Sequence, residues 1–299
     1  MKNNETTNGK NQDATRQKSF DDIKSTLYLV PTPIGNLSEM SERALQTLKD
    51  VDLIACEDTR NSGKLLKYFN ISKPLISHHE HNQETSIPKI IQALQDGKNI
   101  AVISDAGYPL VSDPGQNLVR TCTSKNIPVV PISGPNAALD ALVASGLDTH
   151  HYLFYGFLDA KSAKRIKQLE TLKHIPYTII FYEAPHRIEA MLQDVLEVFG
   201  NRQMCLGREI TKIHEEMIRG SVESVKKICG SLKGEMVIVI EGASLEKEEI
   251  PLEDAAKVVD RYVEEGLSTK KAIQQVAKDL GLSKNELYQF VQKRKNSDN

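Results

Sequence analysis

Asp105-Ala106-Gly107 closes the apolar run Asn99 to Ile103 with a carboxylate, a small residue and a glycine. In open α/β sheets, ligands bind beyond the carboxyl ends of strands, and a glycine there lets bare backbone come close to them. From Asn99 to Val119 there is no Lys or Arg, while Asp105 and Asp113 supply negative charge. Two other strand-end loops share this lack of basic residues, one around Pro31-Thr32-Pro33-Ile34-Gly35-Asn36 and one around Ser133-Gly134-Pro135-Asn136. A phosphate-rich ligand meets Lys, Arg or a glycine-lined helix N-terminus. A neutral or cationic ligand suits these loops better. Any one of them alone reads as a plain tight turn; three together read as one site.

The elements that must position these loops alternate in type. Strands are expected at Thr26 to Val30, Leu53 to Cys56, Pro74 to Ser77, Asn99 to Ile103 and Ile127 to Pro131, with helices between them. That rhythm predicts a parallel sheet covered by helices on both faces. Past Ser133 the pattern loosens into a small-residue helix, Asn136 to Ser145, a basic helix, Lys161 to Lys173, and strands at Tyr177 to Tyr182, Met204 to Leu206 and Glu235 to Ile240. His214 to Arg219 is expected to pair as a hairpin. The second part therefore reads as an α/β domain with a mixed sheet. After a charged linker only helical sequence follows, with Ser268 and Ser283 as N-caps and Gly281 as a stop. Three short helices with a Gly-Leu-Ser turn resemble a helix-turn-helix, and Lys270, Lys271, Lys284, Lys293 and Arg294 give it a basic character; a solvated helical appendage is the alternative. The expected plan is a disordered tail 1–25, α/β domains 26–132 and 133–243, a linker 244–251 and a helical domain 252–299.

With 299 residues, 39% hydrophobic and 26% charged, the chain has the makeup of a globular protein with a sizeable core. A net charge of −2 excludes a whole-molecule basic field, so contact with nucleic acid has to come from local patches. Cys56, Cys122, Cys205 and Cys229 are scattered without a CxxC pair, which favours reduced, partly buried thiols over metal or disulfide. The His78-His79 pair with His81 comes without an accompanying Cys or carboxylate pattern, and a solvated loop is expected rather than a metal site. No apolar run has membrane-spanning length and the start carries no signal-peptide core, so cytoplasm and no membrane are the expectation.

The run Leu29 to Leu37, Cys56-Glu57-Asp58-Thr59-Arg60, Ser104 to Gly107 with Ser112 to Gly115, Ser133-Gly134-Pro135 and Phe181 to Arg187 resembles, in this order, the tetrapyrrole-methylase superfamily. On the pattern of its first loop, which has Pro31, Pro33 and Asn36 where tetrapyrrole-making members are richer in Gly and end in Asp, it is similar to the branch that modifies ribosomal RNA. The resemblance implies S-adenosyl-L-methionine as methyl donor in a cleft between two α/β domains, 2′-O-methylation of a cytidine in the decoding region of 16S ribosomal RNA in the 30S subunit, and a homodimer. It also implies donor contacts from Ile34, Gly35, Asp105, Ala106, Gly107, Leu110, Asn136 and Ala137, closed by Tyr182, Glu183 and Ile210.

Methyl transfer to a ribose hydroxyl needs the acceptor oxygen held against the methyl carbon, and a base or a cation to activate a poor nucleophile. Two polar clusters follow strands of the second domain: Glu183 with His186 and Arg187, and Arg208-Glu209 with Thr211 and Lys212. Glu183, Glu209 and Lys212 are the expected catalytic residues, although a structural Glu183–Arg187 ion pair is an equal reading. Arg60, Arg187, Arg208, Lys270, Lys271 and Lys284 are the expected RNA contacts, with Lys161, Lys164, Arg165 and Lys167 adding basic character on one helix. Two other functions remain open at this level: a methyltransferase acting on a tetrapyrrole precursor, indifferent to the helical tail, and a non-catalytic regulator for which the tail is everything.

Overall fold

The computed structural model describes residues 16–19, 25–113, 115–244 and 251–297. The expected tail therefore lies almost wholly outside the described residues, as does the linker segment 245–250. The chain divides into two compact units, Met1–Gly242 and Ala243–Asn299.

The first unit holds two five-stranded sheets. Strands β1 (Leu27–Leu29), β2 (Leu53–Cys56), β3 (Leu75–Ser77), β4 (Ile100–Ile103) and β5 (Val129–Pro131) pair in parallel in the order β3-β2-β4-β1-β5. Every residue of β4 is buried, as expected for a central parallel strand covered on both faces. Helices α1 (Glu42–Asp50) and α2 (Thr59–Tyr68) bury Ala44, Leu48 and Leu66 on one face. Helices α3 (Gln83–Gln95) and α4 (Gln116–Ser124) bury Ile90, Leu94, Leu118 and Cys122 on the other. Adjacent strands β1 and β4 thus send their chains to opposite faces. Such a divergence opens a crevice at the carboxyl ends of the two strands, which is where a ligand fits.

The second sheet contains β6 (Tyr152–Phe157), β7 (Thr178–Glu183), β8 (Gln203–Arg208), β9 (Glu216–Ser221) and β10 (Met236–Ile240) in the order β6-β7-β10-β8-β9. Only β6 and β7 are parallel, so the sheet is mixed, and β8 and β9 form the expected hairpin. Helices α6 (Ser162–Leu172), α7 (Ile188–Phe199) and α8 (Val222–Cys229) build the larger core on one face. Helix α5 (Ala137–Ser145) packs Ala138, Ala141 and Leu142 on the other face with Ile210, and Ile34 from the first sheet joins that cluster. All four cysteines are buried and free.

Two expectations are corrected here. Arg165 is not part of a basic surface: it is 2% exposed, and its Nε donates to Asp194 Oδ2 at 2.7 Å, an ion pair joining α6 to α7. His78 is not solvated either; it is buried, with Nδ1 2.8 Å from Ser86 Oγ, and burial lowers its pKa. Among the described residues no group of three metal-ligating side chains occurs, and no helix is long and apolar enough to cross a membrane.

The second unit is a bundle of α9 (Leu252–Glu264), α10 (Thr269–Asp279) and α11 (Lys284–Ser297) around Ala256, Val259, Ile273, Val276 and Leu287. Ser283 Oγ accepts from Glu286 N–H at 3.4 Å, whereas Ser268 makes no side-chain cap bond. Gly281 takes φ +64°, the left-handed turn that ends α10.

Candidate functional site

Three strand-end loops of the first sheet are locked together by hydrogen bonds. Thr32 N–H donates to Gly107 O at 2.9 Å and Gly107 N–H donates back to Thr32 O at 3.0 Å, which ties the loop after β1 to the loop after β4. Gly107 has φ +77°, so this reciprocal pair is open to glycine and strained for other residues. Ser104 Oγ donates to the same Gly107 carbonyl at 2.9 Å. The third loop is held by Tyr108, whose hydroxyl accepts from Gly134 N–H at 2.9 Å, and by Pro31, which leaves no room for a Cβ at Gly134.

These loops and the edge of the second sheet enclose a cavity of about 370 Å³. Ile34, Ala106 and Gly107 form its first wall, Asn136 and Ala137 at the start of α5 its second, and Tyr182, Glu183 and Ile210 its third. Asn136 caps α5, its Oδ1 accepting from Leu139 N–H at 3.1 Å, and so is fixed at the rim. Phe157, Asp113, Glu235 and Val237 are also part of the lining, which includes no Lys or Arg. Tyr182 stacks edge-on against Phe154 and tilts against Phe157. The wall is thus aromatic and aliphatic with carboxylates set into it.

The cavity's carboxylates differ in state. Glu183 is 2% exposed; its Oε1 accepts from Ala184 N–H at 2.9 Å and lies 3.1 Å from Arg187 Nε, while Oε2 has no partner among the described residues. Arg187 donates to Leu158 O at 2.8 Å through Nη2, while its buried Nε, though close to Glu183, makes no hydrogen bond among the described residues. Asp113 has no ion-pair partner among the described residues, and burial, with the charges of Glu57 and Asp105 behind it, pushes its carboxyl up to about 6.

Beside this cavity lies a network of three charges. Lys212 Nζ donates to Glu209 Oε1 at 2.9 Å and to Glu235 Oε2 at 2.8 Å. The same Glu209 oxygen accepts from Glu235 N–H at 2.9 Å; the Lys212 bond first, and then this one, hold Glu209 below the usual carboxylate range, and the two carboxylates outweigh burial to raise the Lys212 ammonium. Glu209 and Thr211 take φ +50° and +69°, an uncommon conformation for non-glycine residues. The Lys212 stem crosses to the first sheet and lies on Gly35, where an added Cβ would sit 2.4 Å from Lys212 Cγ.

Of the residues expected at the donor site, Ile34, Ala106, Gly107, Asn136, Ala137, Tyr182, Glu183 and Ile210 line the cavity together. Gly35 and Asp105 instead line a neighbouring pocket of about 180 Å³ on the far side of the same loops. Leu110, with φ +74°, packs its side chain at Gly115 and is absent from the lining. Glu209 and Lys212 stand at the edge and reach the cavity through Glu235. Arg208 is paired with Glu216 and donates to Lys233 O at 3.1 Å. Arg60 is highly exposed beside Asp58. Lys270, Lys271 and Lys284 are exposed on the helical unit. Asp113, whose negative charge the sequence already marks in the second loop, also lines the cavity, as do Phe157 and Glu235, which carry no local signal in the sequence.

Residues 26–226 match the family model described as Tetrapyrrole (Corrin/Porphyrin) Methylases, and residues 248–295 match the model of the RsmI C-terminal HTH domain. A ribosomal RNA small subunit methyltransferase I from Bacillus subtilis is 45% identical over 91% of this chain and 97% of its own length. The protein of the same name from Escherichia coli O157:H7 is 42% identical over 92% and 98%. Among solved structures, uroporphyrin-III-C-methyltransferase from Thermus thermophilus aligns with a TM-score of 0.52 at 19% identity, covering 73% of this chain and 94% of that one. Diphthine synthase aligns at 0.54 and 14%, over 72% and 90%. These last likenesses speak to the fold alone.

Proposed function

The chain belongs to the tetrapyrrole methylase family, within its ribosomal RNA small subunit methyltransferase I group, and from that premise we propose that it transfers a methyl group from S-adenosylmethionine to the 2′-oxygen of a cytidine in the decoding region of 16S ribosomal RNA. The observation that carries this reading is the cavity between the two sheets, with no basic residue in its lining and an unpartnered buried oxygen, Glu183 Oε2, on its wall. A donor with a cationic sulfonium, a purine and no phosphate suits such walls. Glu183 Oε2 is then the acceptor for a donor N–H or O–H, because a buried carboxylate oxygen left without one is unfavourable.

When bound, S-adenosylmethionine supplies an electrophilic methyl carbon on a sulfur that leaves with the bonding electrons. The protein's own part is to hold the acceptor and manage its proton. Lys212, kept protonated between Glu209 and Glu235, stabilises negative charge developing on the acceptor oxygen. Glu235 faces the cavity and is the carboxylate of the network placed to take the hydroxyl proton, while Glu209, tied down by two donors, positions Lys212. Arg60 and the lysines of the helical unit are read as phosphate contacts that place the RNA. Arg187, bonded to Leu158 O, and Arg208, bonded to Glu216 and Lys233 O, serve as structural anchors of the two loops.

We read the protein as a cytoplasmic homodimer. Support for self-association is the outer face of α5, where Leu139 and Val143 are 41% and 73% exposed on a helix that is apolar nearly all round. The deciding experiment gives labelled S-adenosylmethionine to 30S subunits lacking the modification, to free 16S RNA and to a tetrapyrrole precursor, and locates the product by mass spectrometry. A 2′-O-methylcytidine in the decoding region supports the proposal; label on the tetrapyrrole alone would overturn it.

A further inference from the structure

The smaller pocket beside the donor cavity has a chemistry of its own. Its walls are Pro33, Leu37 and Leu65, and its polar groups are Asn61, Ser62, Ser104 and Asp105. At about 180 Å³ it has room for roughly six water volumes, the scale of one six-membered ring with its substituents. Asn61 Nδ2 donates to Asp105 Oδ2 at 3.2 Å, so the two side chains stand as one polar edge. That bond leaves Asn61 with a second N–H and Asp105 with further lone pairs to offer. Deeper in, Ser62 is 3% exposed and its Oγ has no nitrogen or oxygen partner among the described residues, lying against the Cys56 thiol, a weak hydrogen-bonding group. No Lys or Arg lines the pocket, and Asp105 sets a carboxylate at its edge whose charge is felt as far as Asp113. A phosphate is therefore excluded. Arg60, 86% exposed and next in sequence to Asn61, is the nearby cation that meets a backbone outside the pocket.

We infer that this pocket takes the base of the nucleotide to be methylated, with the Asn61–Asp105 pair reading the pairing edge of cytosine. Resting on the RNA-methyltransferase reading above, the inference assigns what selects the target base. Cytosine presents an amino donor beside a ring nitrogen and a carbonyl, both acceptors. A carboxylate accepting from the amino group and an amide donating to the ring nitrogen or carbonyl complement that edge. Uracil presents a carbonyl where cytosine has the amino group, and Asp105 repels it. Leu37, Leu65 and Pro33 supply the apolar walls for the ring faces. The position relative to the reacting centre is also right. Gly35 lines the pocket, the Lys212 stem lies on Gly35, and Lys212 Nζ bonds Glu235 on the wall of the donor cavity. A nucleotide with its base in the pocket brings its ribose to the junction that Lys212 spans.

The test compares 30S subunits carrying cytidine or uridine at the target position, using S-adenosylmethionine as donor and single-turnover rates as readout, and measures donor affinity separately by calorimetry. Wild-type enzyme is expected to favour cytidine by about 10- to 100-fold, the range of one good bidentate base contact. Asp105→Asn, whose amide can serve either base, should lower that preference at least tenfold and leave donor affinity unchanged. Asn61→Asp, which sets a carboxylate against cytosine's acceptors, should slow reaction on cytidine at least tenfold. Both residues are exposed, so thermal melting should be unaltered. If wild type forms 2′-O-methylcytidine and Asp105→Asn keeps the full preference, the inference is overturned while the RNA reading stands. If Asp105→Asn instead weakens donor binding with the preference intact, the pocket belongs to the donor's ammonium group and the inference is again overturned. If wild type forms no 2′-O-methylcytidine, both readings fall together.

Discussion

The loops of the two sheets face one another across the cavity and are made of different material. Those of the first sheet are glycine, proline, serine and short carboxylates, fixed by backbone hydrogen bonds such as the Thr32–Gly107 pair. Those of the second sheet are long charged side chains fixed by one another: Glu183 with Arg187, Arg208 with Glu216, and Glu209 with Lys212 and Glu235. The parallel sheet diverges at β1 and β4 and so offers a crevice that backbone can line. The mixed sheet sets neighbouring antiparallel strand ends side by side, which lets charges from distant segments meet. On the proposed function, one sheet shapes the ligand and the other supplies charge to its chemistry.

The strongest way to break this division is to remove the charge and leave the shape. Lys212→Met keeps the stem on Gly35 and loses the ammonium. Methyl transfer should fall by about 10²- to 10³-fold, the usual consequence of losing one group that stabilises developing charge, while donor affinity stays unchanged. A parallel loss of donor binding would show that the second sheet shapes the donor too.

A smaller effect sharpens the contact between the sheets. Gly35→Ala places a methyl 2.4 Å from Lys212 Cγ, so the lysine stem must shift away from Glu209 and Glu235. Activity should drop about tenfold. In a Lys212→Ala background, where that Cγ is gone, the same substitution should have a clearly smaller effect, the remainder being the strain of a side chain at the φ of +151° that Gly35 holds. Rate constants for the four proteins of this double-mutant cycle measure the coupling, and strict additivity would mean that Gly35 acts through its own backbone instead.

The same division explains what was legible in the sequence. The first sheet's alternation of strands and helices, and its three loops, could be read because each loop's residues are neighbours in the chain. The Lys212 network could be read only in half. Glu209 and Lys212 are three apart, but Glu235 arrives because β10 pairs antiparallel with β8, setting Met236 opposite Arg208. Nothing local in Gly234-Glu235 announces that. Arg165 failed for the reverse reason: one turn of a lysine-bearing helix looks solvated until Asp194, on the neighbouring helix, is seen to claim it. Asp105 was read with its loop as a donor contact, and only the fold shows that Ala106 and Gly107 open on one pocket and Asp105 on the other.

Asp113 is the exception to the division, a charge on the shaping side, and it gives the smallest and most specific prediction. Its carboxyl is pushed from 3.8 to about 6, chiefly by burial and then by Glu57 and Asp105. Between about pH 4 and 6 the folded protein therefore holds a proton that the unfolded chain has released, so this group's contribution to stability falls as pH rises through that window. Above it, an ionised Asp113 is a standing destabilisation that a cationic ligand relieves. Asp113→Asn should accordingly raise stability at pH 7.5 by about 1 kcal/mol, after allowance for solvent screening at a partly exposed group, as read from melting in the absence of donor. The same variant should bind S-adenosylmethionine about five- to tenfold more weakly at that pH, and wild type should lose the same affinity when the pH is lowered through 6. S-adenosylhomocysteine, whose sulfur is neutral, should show neither change. Equal pH dependence for the two ligands would place Asp113 away from the sulfonium, and the first sheet would then supply shape alone.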